Sequence, residues 1–259
     1  MTDKPRSHGR KAIRQTFKPR ELMTPTPELA GVWRAQIITL FPDAFPGVLG
    51  ASLTGKALQE GLWQMDTIDL RPFGETKHRN VDDTPAGGGA GMVLRADVLG
   101  KALDKAAESA RGNWPVVYLS PRGKRLDQKM AQRFAACDGI TLLCGRFEGV
   151  DERVIEEYDI EEVSLGDFIL TGGEIAAQAL IDATVRLIPR VLGNYDSTQD
   201  ESFSHGLLEH PQYTKPAVWK DRAIPEILQS GHHAKISDWQ QAMAERLTKE
   251  RRPDLWRAW

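Results

Sequence analysis

Two segments of the sequence combine glycines with carboxylates, residue types that let a ligand approach closely and exchange protons with it. Residues 144–153 read C-G-R-F-E-G-V-D-E-R, and residues 164–174 read S-L-G-D-F-I-L-T-G-G-E. Each segment begins where a β-rich run ends, and open α/β sheets bind ligands at the carboxyl ends of their strands. The two segments are therefore expected to form one pocket. Tight turns are the alternative, but they do not explain the neighbouring carboxylates Glu148, Asp151, Asp167 and Glu174.

Two further glycine segments have ordinary alternatives. Residues 86–92, A-G-G-G-A-G-M, allow close approach of a ligand, but they lack the G-x-G-x-x-G pattern, and a flexible surface loop is an equal interpretation. Residues 50–56, G-A-S-L-T-G-K, nearly complete a phosphate-binding loop, which needs Ser or Thr after the lysine. Ala57 stands there instead. A helix with Gly55 near its start is the better interpretation.

The cysteines and histidines do not suggest a metal site. Cys137 and Cys144 lie just before and at the end of one apolar run, a placement typical of reduced, buried thiols. His232 and His233 are adjacent and would point apart on a helix or a strand. No metal ligands are therefore expected, and participation of magnesium cannot be read from the sequence.

The elements that must position the two segments alternate along the chain from Trp33 onward. The predicted strands are 34–40, 67–70, 116–119, 140–144 and 160–164. The predicted helices are 53–60, 96–110, 127–136, 151–157 and 173–186. This alternation is typical of an α/β fold, with a mostly parallel sheet covered by helices on both faces.

Composition divides the chain into four segments. We expect a basic extension at 1–30, an α/β domain at 31–192, a polar linker at 193–204 and a small helical domain at 205–259. The extension carries seven lysines and arginines between Lys4 and Arg20, which fit either contact with phosphates or a solvated, disordered arm. In the last segment, apolar residues recur at helical spacing and predict helix packing. They are Ile236, Trp239, Met243 and Leu247.

Composition also limits the class of protein. The chain has 259 residues, of which 41% are hydrophobic and 27% charged, enough to bury a full core. Its longest apolar runs have the length of strands, far below the roughly 20 residues that span a bilayer. No secretory signal is recognised at the start of the chain. A protein without membrane segments that acts in the cytoplasm is expected.

A series of motifs resembles one family over residues 33–259, the bacterial tRNA guanine-N(1) methyltransferases of the SPOUT class, which modify position 37 beside the anticodon. The glycine segments 87–92, 145–153 and 164–174 all belong to the series. The other matching motifs, in chain order, are I-I-T-L-F-P at 37–42, V-D-D at 81–83, Y-L-S-P at 118–121, I-P-R-V-L-G at 188–193 and H-P-Q-Y-T-K-P at 210–216.

The resemblance implies a deep C-terminal trefoil knot that periodicity alone does not reveal. It also implies that the knotted loops hold S-adenosylmethionine and that the substrate is tRNA, which the small helical domain at 205–259 is expected to bind. A homodimer would build each active site from both protomers. The implied cofactor-binding residues are Tyr118, Leu119, Ser120, Pro121, Gly145, Leu165, Gly166, Asp167, Phe168, Ile169, Leu170, Gly172 and Gly173.

The same resemblance assigns three catalytic residues. Glu201 stands where the family has its catalytic aspartate and would take the proton from guanine N1, Asp200 being the neighbouring candidate. Arg186 would stabilise the charge on O6, and Glu148 would lie near the methionine end of the cofactor or the incoming guanine. Arg186 of one protomer and Glu201 of the other are expected to share a site.

The chain departs from the family pattern at several positions, and other functions stay open. Phe147 replaces the usual tyrosine, and Ala86 stands where an aromatic residue is common. One alternative is a non-catalytic RNA-binding protein that positions phosphates with its two basic ends. These are the 1–30 extension and, near the C-terminal end, Arg246, Lys249, Arg251, Arg252 and Arg257. Another is a SPOUT enzyme that acts on ribosomal RNA or on a ribose hydroxyl.

Overall fold

A computed structural model describes residues 31–75, 77–192, 201–203 and 205–259. The basic extension at 1–30 and residues 193–200 and 204 of the linker lie outside the described residues. The division of the chain into domains at 193–204 stays a prediction.

A five-stranded parallel sheet forms the centre of the described fold. Its strands are β1 (Arg34–Thr39), β2 (Gln64–Asp69), β5 (Val116–Arg125), β6 (Gly139–Leu143) and β7 (Glu161–Ser164), in the spatial order β2-β1-β6-β5-β7. All five predicted strands are confirmed. The register pairs Ile37 with Leu142 and Ile38 with Leu143, so the buried runs of β1 and β6 lie side by side, as expected for a sheet that is covered on both faces.

The helices lie between the strands, as the sequence predicts. They are α1 (Ser52–Gln59), α2 (Ala96–Ala107), α3 (Gln128–Ala135), α4 (Glu152–Glu157) and α5 (Glu174–Val185). Successive sheet residues point to opposite faces. Ile37 and Leu142 belong to one core cluster with residues of α1, α3 and α5, whereas Ile38 and Leu143 belong to a second with residues of α2 and α4. The predicted α/β fold with helices on both faces is confirmed.

Strand β5 continues well past its predicted end at Leu119. Its pairing with β7 shifts between Leu119 and Lys124 and then resumes. Gly123 permits this close passage, because a Cβ there would lie 2.3 Å from the carbonyl carbon of Glu162. The sequence prediction stopped early because Pro121 and the charged residues after it lack the apolar pattern of a strand.

Two other expectations about local structure are confirmed. Gly55 lies within α1, where a Cβ would stand 2.1 Å from the backbone oxygen of Gly50, so this glycine serves packing rather than a phosphate-binding loop. Cys137 and Cys144 are both buried and free, and burial raises the pKa of the Cys144 thiol.

The C-terminal part is small and mainly helical. It consists of α6 (Glu226–Gln229), α7 (His233–Arg251), α8 (Pro253–Ala258) and a two-stranded antiparallel hairpin of β8 (Val218–Trp219) and β9 (Arg222–Ala223). A second small hairpin, β3 (Asp82–Asp83) with β4 (Val93–Leu94), flanks residues 86–92. The predicted apolar stripe of α7 is half-buried, and the fully enclosed Thr248 accepts a hydrogen bond of 2.8 Å from the backbone N–H of Leu208.

Candidate active site

Residues 118–121 of β5 and the loops that follow β6 and β7 meet at one edge of the sheet and enclose a cavity of about 260 Å³, hereafter the loop cavity. This volume is just below the lower limit of about 300 Å³ typical of small-molecule sites. The cavity is lined by Tyr118, Leu119, Ser120, Pro121, Gly145, Arg146, Phe147, Glu148, Gly149, Val163, Ser164, Leu165, Gly166, Phe168, Ile169, Leu170, Thr171, Gly172, Gly173 and Ala176. The predicted single pocket therefore exists.

Every residue predicted to bind the cofactor lines this cavity except Asp167. The Asp167 side chain is 90% exposed and pairs with Arg125 at 2.7 Å. Resemblance included Asp167 because it lies inside the matching motif, but its carboxylate points to solvent. Sequence reasoning missed Arg146, which lines the cavity from within the other motif.

Glycines allow the two loops to pack closely on each other and on β5. A Cβ on Gly145 would lie 2.7 Å from the ring of Tyr118, and a Cβ on Gly173 would lie 2.7 Å from Cα of Cys144. The Gly173 amide also donates a hydrogen bond of 2.9 Å to the carbonyl of Gly145. Larger residues at either position would force apart the loops that form the cavity.

A buried ion pair connects the loop after β6 to the start of α5. Arg146 Nη2 lies 2.8 Å from Glu174 Oε2, and the Glu174 side chain is only 5% exposed. Thr39 at the end of β1 donates a hydrogen bond of 2.8 Å to the other carboxylate oxygen. The Arg146 guanidinium also lies over the ring of Phe41, 4.3 Å from its centroid. One charged pair thus ties together β1, α5 and a wall of the loop cavity.

We expect Glu174→Ala to destabilise the fold strongly, because it leaves the Arg146 guanidinium without its buried counter-charge. Breaking a buried pair in this way costs about 3–5 kcal/mol, which lowers the melting temperature by roughly 6–20 °C in a chain of this size. The matched control is Asp167→Ala, which removes an exposed ion pair worth at most about 1 kcal/mol. Equal melting temperatures for the two variants would contradict the structural role of Glu174.

Glu148 lies between the loop cavity and the glycine segment 86–92. Its backbone N–H donates a hydrogen bond of 2.9 Å to the carbonyl of Met92, and a Cβ on Gly91 would lie 2.4 Å from the Glu148 side chain. Gly91 has a φ of +88°, a conformation that glycine adopts without strain. The segment is therefore a close neighbour of a candidate catalytic carboxylate.

Arg186 and Glu201 form an ion pair within the chain. Arg186, at the C-terminal end of α5, donates hydrogen bonds from both terminal nitrogens to both oxygens of Glu201. The Arg186 hydrogen bonds lower the pKa of Glu201, and the same contacts raise the pKa of Arg186. This contact lies within one chain, and the expectation that the two residues of one site come from different protomers stays a prediction. The other candidate base, Asp200, lies outside the described residues.

This pair does not line the loop cavity of its own chain. Glu201 instead lines a cavity of about 450 Å³ in the C-terminal part, together with residues that include His205 and His210. One chain therefore brings the predicted cofactor residues together and the catalytic pair together, but in two separate places.

Two further findings concern the described residues as a whole. They contain no group of three or more His, Cys, Asp or Glu side chains arranged to hold a metal ion. No helix among them has the length and apolar character needed to cross a bilayer.

A parallel sheet with glycine loops at the carboxyl ends of two neighbouring strands, β6 and β7, is the arrangement in which open α/β proteins bind ligands. Residues 33–258 match the model of a family described as tRNA (Guanine-1)-methyltransferase TrmD. A protein named tRNA (guanine-N(1)-)-methyltransferase from Ruegeria sp. (strain TM1040) is 73% identical over 237 residues, 92% of this chain and 97% of the relative. A protein of the same name from Cereibacter sphaeroides (strain KD131) is 72% identical and covers 89% of this chain and 94% of the relative. Another, from Brucella suis, is 55% identical and covers 92% of this chain and 96% of the relative.

The chain therefore belongs to the tRNA (guanine-1)-methyltransferase family. The SPOUT fold of this family is knotted, as the resemblance implies.

Proposed function

We propose that this protein transfers a methyl group from S-adenosylmethionine to N1 of the guanosine at position 37 of tRNA, beside the anticodon, in the cytoplasm. The observation that carries the proposal is the loop cavity, where three family motifs that are distant in sequence meet. Membership of the family supports tRNA as the substrate and guanine N1 as the methylated atom.

The loop cavity fits the methyl donor in chemistry. Its walls combine apolar side chains such as Leu165 and Leu170 with glycine backbone of the loops, which suits an adenine ring read by amides and carbonyls. The Ser164 hydroxyl accepts a hydrogen bond of 3.1 Å from the Gly166 amide and so fixes the turn of one wall. When bound, S-adenosylmethionine supplies an electrophilic methyl group.

Residues of the chain must make guanine N1 nucleophilic, because this nitrogen carries a proton at neutral pH. We assign removal of the proton to Glu201, whose lowered pKa keeps the carboxylate ionised. Arg186, protonated at all relevant pH values, is assigned to stabilise the negative charge that develops on O6. Glu148 and the glycine segment 86–92 would then contact the base beside the methyl donor.

A homodimer would unite the two groups of residues that one chain keeps apart. Several apolar side chains on and beside the loop cavity are more than half exposed. They are Phe168 and Ile169 of the cavity wall, Ile175 of α5, and Val48 of the 3-10 helix Gly47–Gly50, which packs on α5. Exposed apolar side chains on neighbouring elements commonly mark interaction sites. We propose that a second copy covers this surface and brings its own Arg186–Glu201 pair to the loop cavity.

Gly145→Ala tests the cofactor assignment. The new methyl group would lie 2.7 Å from the Tyr118 ring, so the ring or the loop must move into the cavity. We expect the dissociation constant for S-adenosylmethionine, measured by calorimetry, to rise at least about tenfold. The matched control is Gly100→Ala in α2, where the nearest atom is the Tyr158 hydroxyl at 3.2 Å. Unchanged affinity in Gly145→Ala would place the cofactor elsewhere.

Nucleoside analysis tests the proposed reaction directly. The purified protein is incubated with S-adenosylmethionine and tRNA, and the digested product is separated by chromatography. The proposal predicts 1-methylguanosine. A ribose-methylated nucleoside, methylation of ribosomal RNA alone, or the absence of any methylated product would each contradict it. The last result, together with RNA binding, would indicate a non-catalytic RNA-binding protein.

A further inference from the structure

The antiparallel hairpin at residues 218–223 projects from the C-terminal part with both faces in solvent. Val218 and Trp219 are 58% and 61% exposed, although side chains of adjacent strand residues point to opposite faces. The two partners in β9, Arg222 and Ala223, are exposed as well. A two-stranded ribbon is only marginally stable alone. Because Trp219 is exposed, packing against the rest of the chain does not explain why a large aromatic side chain is present in this hairpin.

The turn of this hairpin places a cation over the aromatic ring. Lys220 and Asp221 have φ values of +47° and +62°, the left-handed region that two-residue hairpin turns require and that glycine or asparagine usually fills. The Lys220 ammonium lies 4.8 Å from the centroid of the Trp219 ring. A lysine and an aspartate in this turn cost conformational free energy, and such strain is commonly retained at functional positions.

Basic residues are concentrated in the sequence around this exposed ring, although the whole chain has a net charge of −2. Residues 215–223 contain three basic residues and one acidic residue. The basic residues are Lys215, Lys220 and Arg222, and the acidic residue is Asp221. None of these cations forms an ion pair within the described part of the chain. A ring that offers a π-face among unpaired cations matches the groups that bind single-stranded nucleic acid, in which bases stack on aromatic side chains and phosphates contact Lys and Arg.

The hairpin is connected to the catalytic carboxylate through the segment that precedes it. Residues 207–210 and Gln212 line the same cavity as Glu201. The next residue, Tyr213, is 47% exposed and its ring packs on Trp239 with centroids 6.1 Å apart. A tRNA whose target base is placed by Glu201 would therefore have neighbouring nucleotides within reach of this segment.

We propose that the 218–223 hairpin contacts the tRNA substrate, with Trp219 stacking on an unpaired base and Lys220 and Arg222 contacting the adjacent phosphates. This inference rests on the proposed function, since it names a contact of the same RNA substrate. A second copy of the chain is the competing occupant. Lysine is depleted at protein interfaces, whereas lysine and arginine are the residues that contact the phosphates of a nucleic acid.

The experiment measures binding of a tRNA transcript with guanosine at position 37 to the full-length protein. Trp219→Ala should raise the dissociation constant about 5- to 100-fold, the usual effect of losing one stacked base, while Trp219→Phe retains most of the affinity. Val218→Ala is the matched control, since it removes an exposed apolar side chain of the same hairpin without removing a π-face. Replacing both Lys220 and Arg222 with alanine should reduce the slope of log affinity against log salt by about 1.5.

Unchanged tRNA affinity in Trp219→Ala, at unchanged melting temperature and S-adenosylmethionine affinity, would overturn the proposal. So would an equal loss in Trp219→Ala and Val218→Ala accompanied by a smaller species in sedimentation, which would assign the hairpin to a second copy. The proposed function fails separately, when the wild-type protein yields no 1-methylguanosine. Binding by the hairpin is decided whether or not methylation occurs.

Discussion

Glu201→Gln should lower the rate of methyl transfer at least about 100-fold and leave the affinity for S-adenosylmethionine unchanged. Glutamine preserves the size of the side chain and can still accept a hydrogen bond from Arg186, but it cannot take the proton of guanine N1. General-base catalysis typically contributes a factor of about 10² to 10⁴. Single-turnover kinetics at saturating tRNA isolates this step, and calorimetry checks cofactor binding.

The neighbouring carboxylate supplies the control for this prediction. Asp200→Asn also removes one carboxylate charge, at the position before Glu201. It should lower activity less than Glu201→Gln does, because Glu201 is the residue that pairs with Arg186. If Asp200→Asn is the more damaging substitution, the base is Asp200 and the assignment from family resemblance is shifted by one position.

The pairing also predicts how activity depends on pH. The base works only when ionised, so activity is lost as the pH falls through the pKa of Glu201. The Arg186 hydrogen bonds lower that pKa below its ordinary value of 4.5. Arg186→Gln should therefore move the acidic limit of the residual activity to higher pH. An unchanged limit would show that the titrating group is not Glu201.

Mixed dimers should recover up to about half of wild-type activity when one protomer carries Gly145→Ala and the other carries Glu201→Gln. Each homodimer should be nearly inactive. In the mixed dimer, one site receives both damaged parts, whereas the other joins an intact loop cavity to an intact Arg186–Glu201 pair. Co-expression with two different tags isolates this species for kinetics.

Two outcomes would contradict this arrangement. A silent mixed dimer would mean that the loop cavity and Glu201 of one chain act together, because every site would then carry one lesion. Recovery of activity when Arg186→Ala is mixed with Glu201→Gln would show that these residues come from different protomers. The contact between Arg186 and Glu201 within one chain instead predicts no recovery from that mixture.

The sequence predicts the strands and helices well because their apolar patterns reflect burial. Strand β6 is apolar apart from Thr141 and is buried throughout, as expected for a central parallel strand. Strand β5 was predicted too short because its second half, with Pro121 and Arg122, is held by pairing with β7 rather than by burial of its own side chains. Local composition carries no signal of such pairing.

The candidate site was predicted from motifs, and its errors arise where motifs do not specify direction. Asp167 and Gly166 are neighbours in one motif, yet only Gly166 lines the loop cavity. Arg146 was overlooked although its motif had been identified, since the partner that buries it, Glu174, is 28 positions away in the sequence. The contact between Arg186 and Glu201 spans a linker whose path no sequence pattern determines.

Methylation of two matched tRNA transcripts tests whether the protein modifies the guanosine at position 37. One carries guanosine at position 37 and the other adenosine, with all other nucleotides identical, and both are incubated with the protein and radiolabelled S-adenosylmethionine. We expect one methyl group per guanosine-37 transcript, located by a primer-extension stop at that nucleotide, and none in the adenosine-37 transcript. Equal labelling of the two transcripts, or a stop at another nucleotide, would contradict it.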